Sequence, residues 1–429
     1  MDKVFRDPVH NLIRFDRERD KLVLRLIETR EFQRLRYIHQ MGVNHYVYPG
    51  ATHTRFSHAL GVAYLMKRVI EHFFELGISK TLAKKLEEHR ELLMATALLH
   101  DVGHFPFSHL IEDVADADHE DWTVRILQDP ESEISQVLIS ANKKYPVQIA
   151  GILNHTFRPA FAVKLISSQL DVDRMEYLLR DSAQTGVRYG YFDIEWLIHS
   201  LRLVEQDGDW ELAIEQRKGT HAAEAYVLAR YYMYQQVYHH KTSRAADAHV
   251  RKVLHRATDL LNKSAEIPVT GSLRKLLIDY EKFSREDHYQ LDDTTLLFAF
   301  KSWEGTKDPI LSDLCQRLNR RHLFKAIDLS EPLNGKQRKQ VEQIARSAGF
   351  DPEYYLLVDR VTDDPYSDRY LVAGQPTTEG ILLVGHEQNL VELSQRSDII
   401  RSIREKTVVS ARLCLPAELR EKVIKILFY

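Results

Sequence analysis

Cysteine is nearly missing from this chain: its 429 residues hold two, Cys315 and Cys414, far apart and in no CxxC pattern. That excludes a disulfide framework and a thiolate metal site, and it points to a reducing compartment. Glycine and proline are scarce too, at 17 and 13, where average usage would give roughly 30 and 21. So few breakers in a long chain favour helices. Charge of one sign is also lacking: the formal balance is −3, so no overall basic field argues for a nucleic-acid or anionic-membrane partner. Nor is there a long apolar run. The longest stretch without Asp, Glu, Lys or Arg, 37–54, contains Pro49, two glycines, Asn44 and three histidines, and cannot span a bilayer. The opening MDKVFRDPVHNLIRFDRERD has no apolar segment of the secretory kind. These absences together read as a soluble cytoplasmic protein.

What is present is helical periodicity and histidine, of which there are 21. The pattern predicts helices over 22–41, over the Leu60, Ala63, Met66, Val69, Ile70, Phe73, Leu76 stripe closed by Gly77, and over 121–127, 134–144, 163–182, 194–203, 222–241, 246–262 and 311–318. The segment 92–99 is apolar all round, so its helix belongs in the middle of the fold, with Pro106 expected to end it. From about Asp328 the texture changes. Short β-rich runs at 354–361, 370–372, 381–384 and 408–414 alternate with helical patterns at 336–347, 390–406 and 418–428. The fold class is therefore mainly α, with a smaller C-terminal α+β part.

The chemistry concentrates in His58, His100, Asp101 and Asp173. A His-Asp pair at the end of a buried helix must find a cation or a metal, because an unpartnered buried carboxylate is costly. Imidazole and carboxylate donors suit Mn, Fe, Ni, Zn or Mg. The dipeptide alone also fits a structural hydrogen-bonded pair; its company points further. The run His100-Asp-Val-Gly-His-Phe-Pro-Phe-Ser-His109, followed by His119-Glu120, gathers groups able to exchange protons near neutral pH. Asp173, Tyr177 and Asp181 share a helix face at i, i+4, i+8. Arg230, Tyr234, Tyr238 and Lys241 form a second stripe, which a solvated amphipathic face would also explain. If Arg55, Arg174, Arg230 and Lys241 converge, they make the cationic cradle that a polyphosphate requires.

These residues resemble the HD-domain phosphohydrolases, and within them the dNTP triphosphohydrolase branch of vertebrate SAM-and-HD-domain and bacterial enzymes. The likeness lies in Asp7-Pro-Val-His10, in 32–42 (FQRLRYIHQMG), 48–58 (YPGATHTRFSH), 100–109 and 171–181 (DVDRMEYLLRD), and more weakly in 230–241 and 320–325. It implies an HD helical bundle over 1–205, a helical extension over 206–327 that completes a nucleotide pocket, and an α+β region over 328–429. It implies a divalent metal on His58, His100, Asp101 and Asp173, catalytic His109 and His119, and Glu112 orienting one of them. Arg55, Arg174, Tyr177, Arg230 and Lys241 would hold a triphosphate. Gln40 and Asp181 would take the sugar 3′-hydroxyl, and Tyr238 would pack where a 2′-hydroxyl would sit. The implied reaction converts a dNTP to deoxynucleoside and triphosphate in a homo-oligomer. Glu28, Gln33 and Arg36 resemble part of a nucleotide-effector site at a subunit interface. Departures are Glu112 in place of Asp, Asn11 in place of Gly, and Arg174 in place of Lys, which keeps the charge but changes the donor geometry. An HD hydrolase of another phosphoester, and a non-catalytic nucleotide or nucleic-acid binder, remain as alternatives. His45, His155, His239 and His288 read as packing or surface residues.

Overall fold

A computed structural model describes the backbone of residues 2–206, 208–363, 366, 369–372, 375–378, 380–386, 389–404 and 408–428. Side chains are described for the same residues except 109, 113, 361–363, 369–372, 375–378 and 408–410. Helices dominate: 22 of them stand against 11 short strands among the described residues.

The body is built on two long helices, Arg55–Glu75 and Lys80–Leu99, which pack together at the centre. Every residue from Leu92 to Leu99 is buried, as an all-apolar face requires. The Lys80–Leu99 helix ends at Leu99 and not at Pro106; His100 caps it and the chain turns at once. The Val172–Thr185 helix lies across Arg55–Glu75. A hairpin, Asp2–Asp7 with Asn11–Asp16, packs on the same long helix.

Several predicted helices are shorter than their periodicity. The 22–41 pattern splits into Lys21–Ile27 and Arg30–Arg34 because Thr29 is extended and spends its hydroxyl on the Leu26 carbonyl, 2.7 Å away. The 163–182 pattern breaks into Ala160–Ile166 and Val172–Thr185, since Asp171 is extended and accepts the backbone N–H groups of Ser168 and Arg174. The 194–203 pattern stops at Ser200. There Leu201–Gln206 leaves to pair with Asp209–Glu215 in a hairpin that the sequence reading missed. The 222–241 pattern becomes a helix over Gln216–Met233, a wider π turn over Tyr234–Tyr238 and a new helix, Lys241–Asn262. The 390–406 pattern is a strand, Leu390–Glu392, followed by two short helices.

Among the described C-terminal strands, Arg369–Val372 and Gln375–Thr378 pair only with each other, and the rest join two sheets. One has the order Leu390–Glu392, Leu382–Val384, Asp209–Glu215, Leu201–Gln206, with Leu382–Val384 parallel to Asp209–Glu215. The other places Val408–Leu415 between Lys325–Leu329 and Leu357–Asp363. Both cysteines are buried and free. Among the described residues, no helix is long and apolar enough to cross a membrane.

Candidate active site and metal centre

His58 projects from the first turn of Arg55–Glu75, His100 and Asp101 follow the end of Lys80–Leu99, and Asp173 sits in the first turn of Val172–Thr185. The crossing of these elements brings residues far apart in sequence to one point. Asp173 Oδ1 lies 2.9 Å from His58 Nε2 and 3.4 Å from His100 Nε2, and Asp101 Oδ2 lies 3.8 Å from His58 Nε2. Each histidine is oriented from behind. His58 Nδ1 donates to Glu176 Oε2 at 2.7 Å and His100 Nδ1 to the Ala97 carbonyl at 3.0 Å. With a metal bound, Nδ1 would keep its proton and each Nε2 would present its lone pair. Among the described residues these two buried Nε2 atoms have no hydrogen-bond partner. Two orphaned imidazole nitrogens facing two carboxylates are what a divalent cation satisfies, and the donor set fits one.

The electrostatics agree. Burial opposes charge on His58, but Asp173 and Glu176 override it and hold the ring at about 10 when no metal competes. Burial would likewise raise the carboxyls, yet Arg55, His100 and His104 hold Asp101 well below the usual range, and His100 and His58 do the same for Asp173. Behind the site runs a buried ionic chain that sequence reasoning missed. Glu176 accepts from His10 at 3.0 Å and from Arg180 Nε at 2.8 Å, and Arg180 lies 2.9 Å from Asp7. The Asp7-Pro-Val-His10 turn of the N-terminal hairpin therefore supports His58 through one carboxylate.

Beside the donors stands a second group. His104 Nδ1 and His119 Nδ1 each lie 3.0 Å from an oxygen of Glu112, and the two rings stack at 3.8 Å. Glu112 thus serves His119 together with His104, a residue to which the sequence reading gave no role. Burial, with Arg55 and His119 adding to it, lowers His104 to about 3. In His119 burial is outweighed by Glu112, and the pKa rises. One carboxylate therefore holds a neutral and a readily charged imidazole side by side. The side chain of His109 lies outside the described residues.

A cavity of about 450 Å³ opens over these groups; Arg55, Asp101, His104, His119, Asp173, Tyr177, Gln40, Asp181 and Tyr238 line it. Asp181 accepts from Tyr238 Oη at 2.8 Å and lies 2.7 Å from His53 Nε2. Gln40 Oε1 is buried with no hydrogen-bond partner among the described residues. Arg55 is committed to Asp101 and, through Nε and Nη2, to Ser108 Oγ. Three of the expected triphosphate cations do not line the cavity. Arg174 folds back onto Asp171 and the Ser168 carbonyl, and Arg230 donates to Gln169 Oε1 at 2.6 Å. Lys241 is exposed, because the π turn ends the stripe and the next helix starts with it. Arg244 and Arg251 line the wall instead.

A helical body that sets two imidazoles and two carboxylates together, with a histidine-carboxylate cluster beside them, could hold a divalent metal. The comparisons narrow the reading. An HD domain matches residues 55–180 and an HD-associated region matches 192–269. The uncharacterized protein YwfO of Bacillus subtilis is 38% identical over 97% of this chain and 93% of its own length. The deoxynucleoside triphosphate triphosphohydrolase SAMHD1 of Bos taurus is 28% identical over 79% of this chain, which covers 60% of the bovine protein. A crystal structure of a phosphohydrolase from Bacteroides thetaiotaomicron superposes with a TM-score of 0.81 at 29% identity, covering 97% of this chain and all of the other. The chain belongs to the HD-domain phosphohydrolase family.

Proposed function

We propose that the protein hydrolyses deoxynucleoside triphosphates to deoxynucleoside and inorganic triphosphate. The observation that supports this most directly is the pair of orphaned Nε2 atoms of His58 and His100, set with Asp101 and Asp173 below a cavity walled by Gln40, Asp181 and Tyr238. Likeness to SAMHD1, a dNTP triphosphohydrolase, adds to it. His58, His100, Asp101 and Asp173 would hold a divalent cation, which would supply Lewis acidity when bound.

The chain's own residues do the rest. Arg55, fixed between Asp101 and Ser108, holds positive charge at the floor where phosphate charge accumulates. Water oxygen joins the α-phosphorus as the bond to the 5′-oxygen breaks; the water releases one proton to solvent, from which the acid is recharged, and the 5′-oxygen takes one up. His119, raised in pKa by Glu112, carries a transferable proton on Nε2 when charged, while Glu112 keeps the one on Nδ1. The resemblance assigns His109 to the same step. Gln40 and Asp181 take the 3′-hydroxyl, and the Tyr238 ring, pinned by its bond to Asp181, fills the space of a 2′-hydroxyl. We read the protein as a cytoplasmic homo-oligomer. A nucleotide effector would bind near Glu28, Gln33 and Arg36, where Arg36 donates to Gln33 Oε1 at 2.8 Å and stacks on Phe56.

The test is incubation of the purified protein with each dNTP and each matching rNTP, with Mn²⁺ or Mg²⁺, and chromatography of the products. Deoxynucleoside and triphosphate are expected, with little turnover of rNTPs, and Tyr238→Ala should erode that preference. Release of monophosphate or pyrophosphate would transfer the assignment to an HD hydrolase of another phosphoester.

A further inference from the structure

Asp293 is buried, 1% exposed, and opens the helix Asp293–Trp303, beyond both matched family regions. Its carboxylate is shared between two loops that line the cavity. Oδ1 accepts the backbone N–H of Phe107 at 2.8 Å, and Oδ2 accepts that of His39 at 2.9 Å and lies 2.6 Å from His39 Nδ1. Phe107 and Ser108 precede the helix that begins at His109; His39 precedes Gln40.

The Phe107–Ser108 turn has backbone that needs holding. Phe107 and Ser108 have φ of +52° and +54°, and Gly42 has +53°. A phenylalanine and a serine adopt that region only where their surroundings over-determine it. The surroundings supply three restraints. Asp293 takes the Phe107 N–H, Arg55 donates twice to Ser108 Oγ, and Gly42 leaves room for the Phe107 carbonyl, which would stand 3.2 Å from a Cβ at that position. Neighbouring segments add bonds to the same run. Arg34 joins the carbonyls of Leu291 and His104, 2.9 Å each, and His288 Nε2 meets the Gly103 carbonyl at 2.9 Å.

We infer that Asp293 is a positioning residue: it staples the Gln40 loop to the Phe107–Ser108 turn and so fixes the distance between the sugar side of the cavity and its proton-transfer side. It contacts none of the four metal donors, so its role separates from theirs. The catalytic part of this inference rests on the proposed function; the structural part does not.

The experiment uses the full chain carrying Asp293→Ala or Asp293→Asn, with Asp287→Asn as a control carboxylate that bonds only Ser272, Lys275 and Ser284 among the described residues. Asparagine turns an amide donor toward one of the two backbone N–H groups, so it retains one strut and should fall between wild type and alanine. Amide exchange over 37–43 and 104–110 should quicken roughly tenfold or more in Asp293→Ala, while Mn²⁺ affinity by calorimetry stays at the wild-type value. With dNTP, kcat should drop about 100-fold, in keeping with a misplacement near 1 Å, with KM moving less. Asp287→Asn should leave exchange in both loops and kcat unchanged.

Wild-type exchange in both loops overturns the inference. So does a loss of Mn²⁺ affinity that parallels the loss of kcat, or a lowered melting temperature with undiminished kcat. A wild-type protein without dNTP turnover refutes the substrate assignment alone, and the exchange measurements still decide the staple. Should the alanine variant not fold, Asp293→Asn decides by the same readouts.

Discussion

A single imidazole can be driven either way by its surroundings. His58 and His249 are both fully buried. Two carboxylates hold His58 at about 10. His249 has the Leu314 carbonyl, 2.9 Å from Nε2, and a stacked Phe324 ring at 4.4 Å, and burial, with Arg317 adding to it, outweighs Leu314 and Asp313 and lowers its pKa to about 4. From near pH 6.5 down to about 4, the unfolded chain therefore takes up a proton that the folded one refuses. Stability contributed by neutral His249 is present above that window and lost as pH falls through it, at about 1.4 kcal/mol per pH unit. Thermal melts between pH 7 and 4 should show this slope reduced by one proton in His249→Gln, which keeps a donor for Leu314; an unchanged slope would refute it. The proposed donors were singled out in the sequence by the motifs around them, 48–58, 100–109 and 171–181, since a His-Asp dipeptide alone also fits a structural pair. Glu176 was not, since it reads as one more helical acid; the available signal was its i, i+4 spacing to Arg180, which the structure turns into a buried ion pair.

Two helices meet where one of them has no side chain. At Gly61 a Cβ would stand 2.0 Å from Glu176 Oε1, so the approach of Arg55–Glu75 to Val172–Thr185 depends on glycine there. A flexible carboxylate could yield elsewhere, but this one is fixed by His10, His58 and Arg180. Gly61→Ala should cost about 1–3 kcal/mol by overpacking. It should also lower Mn²⁺ affinity about 10- to 100-fold, because the carboxylate that orients His58 is displaced. Melting curves and calorimetry read the two effects separately, and an unaltered affinity would mean that Glu176 does not set the His58 ring. Helices were readable from periodicity, as at 60–76, or from an all-round apolar run, as at 92–99. The breaks were not, because they are made by capping side chains such as Asp171, whose choice between helix interior and cap is settled by what lies next to it in space.

On the scale of the whole chain, the change of texture near Asp328 is visible in the sequence, but texture does not say which sheet a strand joins. Tyr366, Ile381, Leu383, Leu393, Ile400 and Ile403 are buried in the same core as the central helices, and Leu382–Val384 extends the sheet of the 201–215 hairpin. Tyr354, Tyr355 and Cys414 enter the second core, built around Lys241–Asn262. Asp359 grips Arg244, a residue of the cavity wall, through two bonds of 3.0 and 2.5 Å. Each fully buried large apolar side chain contributes about 1.5–3 kcal/mol. Losing these six from the first core alone removes as much as the roughly 5–15 kcal/mol by which domains are stable. A chain ending at residue 327 should therefore aggregate or lose its cooperative melt, and its Mn²⁺ binding should go with it, although every proposed metal donor and Asp293 are still present. Circular dichroism and size-exclusion chromatography of that shortened chain check the prediction. A monodisperse product that melts cooperatively and binds Mn²⁺ like the full protein would show that the site is assembled by the first 327 residues alone, with the C-terminal strands added to a body already folded.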